Sequence, residues 1–172
     1  MIPKIKRILY ATDLSPNSGY VLRYAINSAK KHGAKLYVLH VVEELSPTAK
    51  ALIAPHLNDE IAENISEEKL EYAKERIRKR VKAVCNKELN SDPETEDIFE
   101  TIEVVEGYPA DEILSKADKL NCDVIIMGTH GKGFLKHAYF GSTSKKVLRR
   151  VRIPAFIIPL PKGKTDITVQ DW

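Results

Sequence analysis

The stretch DVIIMGTHGKGFLKHAYFGSTS, Asp123 to Ser144, decides how this chain is read. It runs from an apolar strand through a glycine-punctuated loop into the capped start of a helix. Gly128 and Gly131 are separated by two residues; nine more lead to Gly141 and Ser142, where the helical pattern of Lys145 to Val151 begins. Glycines let the backbone turn tightly and approach a ligand closely. The free N–H groups of a helix start favour an anion, and the hydroxyls of Ser142, Thr143 and Ser144 stand beside them. The stretch therefore points to a phosphate site.

Working outward, the remaining chain supplies a matching scaffold. Lys6 to Thr12 is a short apolar run, suited to a strand buried on both faces. Ser15 is a candidate N-cap with Pro16 in the first helical position, and Val21, Leu22, Ala25, Ile26 and Ala29 repeat at helical spacing up to Gly33. Lys35 to Val42 is a second apolar strand. From Glu43 to Asn64 the pattern weakens into an excursion containing Pro47 and Pro55. Asn64 and Glu67 resemble a capping box for a long helix whose inner face is Leu70, Ala73, Ile77, Val81 and Val84. Lys69, Glu71, Lys74, Glu75, Arg78, Lys79 and Lys82 are expected on its solvated face.

After the acidic loop Asn90 to Asp97 come a third strand, Phe99 to Glu106, and a helix started by Pro109 with Ile113, Leu114, Ala117 and Leu120 inward. Asp123 to Met127 is the fourth strand, a helix runs from about Ser142 to Val151, and Ile153 to Ile158 is the fifth strand. This alternation predicts a single α/β domain over 1–160, an open twisted parallel five-stranded sheet with helices on both faces, followed by a tail over 161–172.

In such sheets ligands bind beyond the carboxyl ends of the strands, where the strand order reverses. Thr12 and Asp13 follow the first strand and Gly128 to Gly131 follow the fourth, so an acceptor would face a phosphate cradle if these strands are neighbours. Asp13 suits an adenine amino group or a ribose hydroxyl; taken alone, it serves equally well to help Ser15 cap the first helix. Other phosphate motifs do not fit. Gly133 is followed by Phe134 and Leu135, where a P-loop needs lysine and a hydroxyl, and Lys136 occupies the third glycine of a dinucleotide fingerprint.

Composition narrows the classes. At 43% hydrophobic and 30% charged the chain is that of an ordinary globular domain. A net charge of +3, from 27 basic and 24 acidic residues, gives no footprint for nucleic acid or a membrane surface. Cys85 and Cys122 have neither the number nor the spacing of a disulfide framework or zinc site, and are expected as buried thiols. Without a secretory segment or a long apolar run, a cytoplasmic protein is expected.

Gly128-x2-Gly131-x9-Gly141-Ser142, after IIMG and before RIPAFIIP, resembles the nucleotide-binding signature of the universal stress protein family. KRILYATDLSPNS, LHVV, GYPADEIL and IPAFII fall in the family's order. The resemblance implies a Rossmann-like fold of the adenine nucleotide alpha hydrolase type with sheet order 3-2-1-4-5, and a stress-response protein of the ATP-binding branch. It places adenine near Thr12, Asp13 and the backbone of Val41, and phosphates against Gly128, Gly131, Gly141, Ser142 and Thr143, with Met127 and His130 lining the same pocket. It also implies a homodimer; Ile153 to Ile158, an apolar edge strand, is the expected seam.

The segment 128–146 holds no carboxylate, so any Mg2+ would be carried by the phosphates of ATP or AMP, with water. His130 and His137 are expected as solvated or structural groups. With no evident general base, the reading is binding without efficient hydrolysis. A slow or partner-dependent ATPase and a nucleotide-free dimeric scaffold stand as alternatives.

Overall fold

The computed structural model describes residues 2–15, 17–44, 48, 52, 59–89, 97–129 and 140–159. Strands β1 (Arg7–Thr12), β2 (Lys35–Glu43), β3 (Phe99–Gly107), β4 (Val124–Gly128) and β5 (Ala155–Ile158) form one sheet in the order β3-β2-β1-β4-β5. All four pairings are parallel, with Thr12 opposite His40 and Tyr10 opposite Ile126. Helices α1 (Ser18–His32), α2 (Asp59–Leu89), α3 (Pro109–Lys119) and α4 (Ser142–Arg150) make the connections. The expected architecture and strand order are those observed.

Alternation along β1 explains why both faces are covered. Ile8 and Tyr10 point into a core with Val21, Leu22, Ala25 and Ile26 of α1 and Ala73 and Ile77 of α2. Leu9 and Ala11 point into a second core with Ala110, Ile113 and Ala117 of α3 and Val147 of α4. A strand buried on both sides needs apolar residues throughout, which is the pattern Ile8-Leu9-Tyr10-Ala11 supplies. At its start, Asp123 accepts hydrogen bonds from the N–H groups of Lys6 (2.7 Å) and Arg7 (2.8 Å), joining β1 to the head of β4.

Three local expectations change. Helix α1 begins at Ser18, with Asn17 as N-cap and no side-chain cap bond; Ser15 instead offers its carbonyl to the N–H (3.0 Å) and hydroxyl (2.9 Å) of Ser18. The cause is Leu14, whose φ of 58° turns the chain away from helical geometry. Pro16 lies outside the described residues.

Helix α2 begins at Asp59, so Asn64 sits inside it and no capping box opens it there. The last residues of the expected excursion, 59–64, are helical. Finally, β5 is shorter than expected, because Pro154 has no N–H to give a ladder. Among the described residues no helix is long and apolar enough to cross a membrane.

Candidate functional site

The order β3-β2-β1-β4-β5 reverses direction between β1 and β4, and an open cleft of about 700 Å³ lies beyond the carboxyl ends of those strands. Its wall contains Thr12 at the end of β1 and Asp13 just after it, Val41 of β2, Met127 and Gly128 of β4, and Gly141, Ser142, Thr143 and Ser144 at the start of α4. These come from four separate parts of the chain, and the topology alone brings them together. His130 and Gly131 lie outside the described residues, as does His137.

The loop after β1 is built from its own short side chains. The hydroxyl oxygen of Thr12 accepts from the N–H of Leu14 at 3.2 Å, and Oδ1 of Asp13 accepts from the N–H of Ser15 at 3.1 Å. Such turns are what threonine and aspartate do when a helix has not yet started. Asp13 thus holds the turn before α1 with one oxygen, but Ser15 does not cap the helix, so Asp13 is not the capping aid considered from the sequence. Its Oδ2 is buried and has no hydrogen-bond partner among the described residues. A carboxylate oxygen in that state is costly unless something donates to it.

Opposite, α4 starts at Gly141 in extended geometry, and the N–H of Gly141 donates to the carbonyl of Thr129 at 2.8 Å. The hydroxyl of Ser144 donates to the same carbonyl at 2.9 Å, so both ends of the glycine loop are tied together. That bond commits the hydroxyl counted among the anion donors; Ser144 is buried, whereas Ser142 is exposed and Thr143 half-buried. The first-turn amides of α4 remain oriented towards an anion by the helix geometry itself.

Several lining residues had not been singled out. His40 is 6% exposed, and its Nδ1 lies 2.7 Å from the carbonyl of Thr12. That carbonyl can only accept, so Nδ1 carries the hydrogen. Lys69, Tyr72 and Arg76 of α2 also line the cleft. Tyr72 is 68% exposed, and the Arg76 guanidinium stands 5.8 Å from the centre of its ring. The expected solvated face of α2 holds for Glu71, Lys74, Glu75, Arg78 and Lys79, which pair within the helix, but Lys69 belongs to the cleft wall. The signal was spacing: 69, 72 and 76 flank the apolar stripe of 70, 73 and 77.

Among the described residues no cluster of His, Cys, Asp or Glu could hold a metal ion. Cys122 lies outside the cleft, buried between α3 and β4; burial, with Asp123 adding to it, pushes its thiol up to about 11. The Cys85 side chain lies outside the described residues.

Comparison with known proteins adds the following. The model of the universal stress protein family matches residues 4–159. Universal stress protein MJ0531 of Methanocaldococcus jannaschii is 32% identical over 157 residues, covering 91% of this chain and 84% of the relative. Universal stress protein MJ0577 of the same organism is 27% identical over 155 residues, or 89% of this chain and 94% of the relative. The solved structure of MJ0577 superposes with a TM-score of 0.71 at 25% identity, covering 94% of this chain and 100% of that one. A universal stress protein solved in complex with cAMP shares the fold, with a TM-score of 0.53 at 19% identity over 91% of this chain and 98% of the other.

Proposed function

The chain belongs to the universal stress protein family, and we propose that it binds an adenine nucleotide, ATP or AMP, in the cleft between β1 and β4. The observation that carries this reading is the buried, unpartnered Oδ2 of Asp13 in the same cleft as the start of α4. On one side Asp13 Oδ2 has no donor among the described residues and on the other the start of α4 offers backbone donors, which is the complement of an adenosine joined to phosphate. On this reading Thr12, Asp13 and the Val41 backbone hold the base and sugar. Gly128, Gly141, Ser142 and Thr143 hold the phosphates, with Met127 between them and Ser144 as the tie that sets the helix start. His130 and Gly131 complete the cradle by their place in the sequence motif, and any Mg2+ travels with the phosphates.

We read the protein as a signalling or protective module of the stress response, working through nucleotide occupancy and a homodimer seamed at β5, and not as an enzyme. The described side chains of the cleft offer no water-orienting pair: of its two carboxylates, Asp13 is committed on one oxygen to Ser15, and Glu43 is exposed at the end of β2.

Titration calorimetry with AMP and ATP tests the reading. Saturable binding is expected, and Asp13→Ala should weaken it by about tenfold to 100-fold, the worth of a buried hydrogen bond to a charged group. An Asp13→Ala protein that binds as tightly as the wild type would remove the assignment. Steady ATP turnover on the order of 1 per second would favour an ATPase instead.

A further inference from the structure

Arg80 is 5% exposed, in the middle of α2, and it donates into the loop that carries Asp13. Its Nη2 donates to the carbonyl of Leu14 at 2.8 Å and its Nη1 to the carbonyl of Ser15 at 3.0 Å. Nη1 also reaches the hydroxyl of Ser18. The acceptors lie 62 to 66 positions away in sequence. Two of them belong to the backbone turn that the short bonds of Thr12 and Asp13 begin and that the Leu14 side chain disfavours: Leu14, a branched and buried residue, holds φ at 58°. A non-glycine residue keeps that conformation only where its surroundings over-determine it.

We propose that Arg80 is a positioning residue for the ligand site: its planar fork holds the Leu14 turn, and the turn aims Asp13 at the cleft. Without Arg80 the Leu14 carbonyl would have no donor among the described residues, and the Ser15 carbonyl would keep only the N–H and hydroxyl of Ser18. A guanidinium fits because one rigid group serves two carbonyls at once, which an ammonium cannot do in the same geometry. Burial, followed by the neighbouring Arg76, draws its proton affinity down to about 10, so it remains a cation at neutral pH. The same helix lines the cleft through Lys69, Tyr72 and Arg76, so one element supplies both part of the wall and the tether of the loop. Occupancy of the cleft and the seating of α2 are therefore linked through this guanidinium.

The inference rests on the proposed nucleotide site, and its test separates the two. Arg80→Met and Arg80→Lys would be compared with Ile77→Val, which thins the same helix contact without removing a hydrogen bond to the loop. Each is checked for fold by circular dichroism and thermal melting. Hydrogen exchange read by mass spectrometry should rise at least tenfold over residues 12–18 in Arg80→Met, rise less in Arg80→Lys, and stay at the wild-type rate in Ile77→Val. AMP affinity should fall by about tenfold in Arg80→Met, with partial recovery in Arg80→Lys and no loss in Ile77→Val. A folded Arg80→Met protein with wild-type exchange over 12–18 overturns the inference; so does wild-type affinity in a protein whose parent binds AMP. If the wild type binds no adenine nucleotide, the proposed function fails, and exchange alone decides whether Arg80 holds the loop.

Discussion

Cys122 shows how burial sets the behaviour of a single side chain. Its thiol is drawn up from 9.0 to about 11, chiefly because the charged form is penalised among Ala117, Ile125 and their neighbours. Below pH 9 the thiol is neutral whether folded or unfolded, and nothing is lost. Between pH 9 and about 11 the unfolded chain releases this proton while the folded one keeps it, so stability falls as pH rises through that window. Urea unfolding at pH 8 and pH 10.5 should therefore show the stability advantage of wild type over Cys122→Ala shrinking by roughly 1 kcal/mol, after discounting for solvent screening. An advantage that is the same at both pH values would contradict this. Asp13 was legible at this scale, as a polar residue stranded at the end of an apolar strand. Arg80 was not, because a charged residue on a helix rich in charge reads as solvated. Its position, seven past Ala73, was the clue: that spacing puts it back on the buried stripe.

At the scale of elements, the strands were legible to within two residues because β1, β2 and β4 are apolar on both faces, and β3 and β5 are β-rich runs bounded by an acidic loop, glycine or proline. Helix starts were less so, since caps compete with turns: Ser15 looked like a cap, and the Asp13 turn and Leu14 displaced it. Helix ends were clearer. Gly33 closes α1 at φ 60°, its N–H reaching Lys30, while the N–H of Ala34 bonds the carbonyl of Ala29 at 2.9 Å. Asn121 does the corresponding work after α3 at φ 49°, with the N–H of Cys122 on the carbonyl of Ala117 at 2.8 Å. A Cβ at Gly33 would meet nothing within 4 Å, so the penalty of Gly33→Ala is backbone alone. It should destabilise by about 1 kcal/mol in chemical denaturation. A neutral or stabilising result would mean that the turn can relax.

For the whole molecule, the parallel sheet leaves β5 at one edge, with Phe156 38% exposed on it. An apolar edge strand is a template for a second chain. If the dimer forms there, Phe156→Lys should shift sedimentation at micromolar concentration from dimer to monomer while leaving the circular dichroism spectrum intact. A variant that still sediments as a dimer would place the seam elsewhere. The sequence disclosed this arrangement only through the order of its strands. The participation of α2 in the cleft was signalled only by positions 69, 72 and 76 flanking its apolar stripe; which partner that flank faces is decided by packing.

The bonds from Asp123 to Lys6 and Arg7 carry one more consequence. During synthesis β1 emerges first and finds β2 soon after, but its other flank stays bare until Val124 and its successors exist. The cleft has a single wall for most of translation and gains its second only when the chain has passed Gly141. No nascent fragment short of that point can present the assembled cleft, so the proposed ligand could be held only by a chain built past the start of α4.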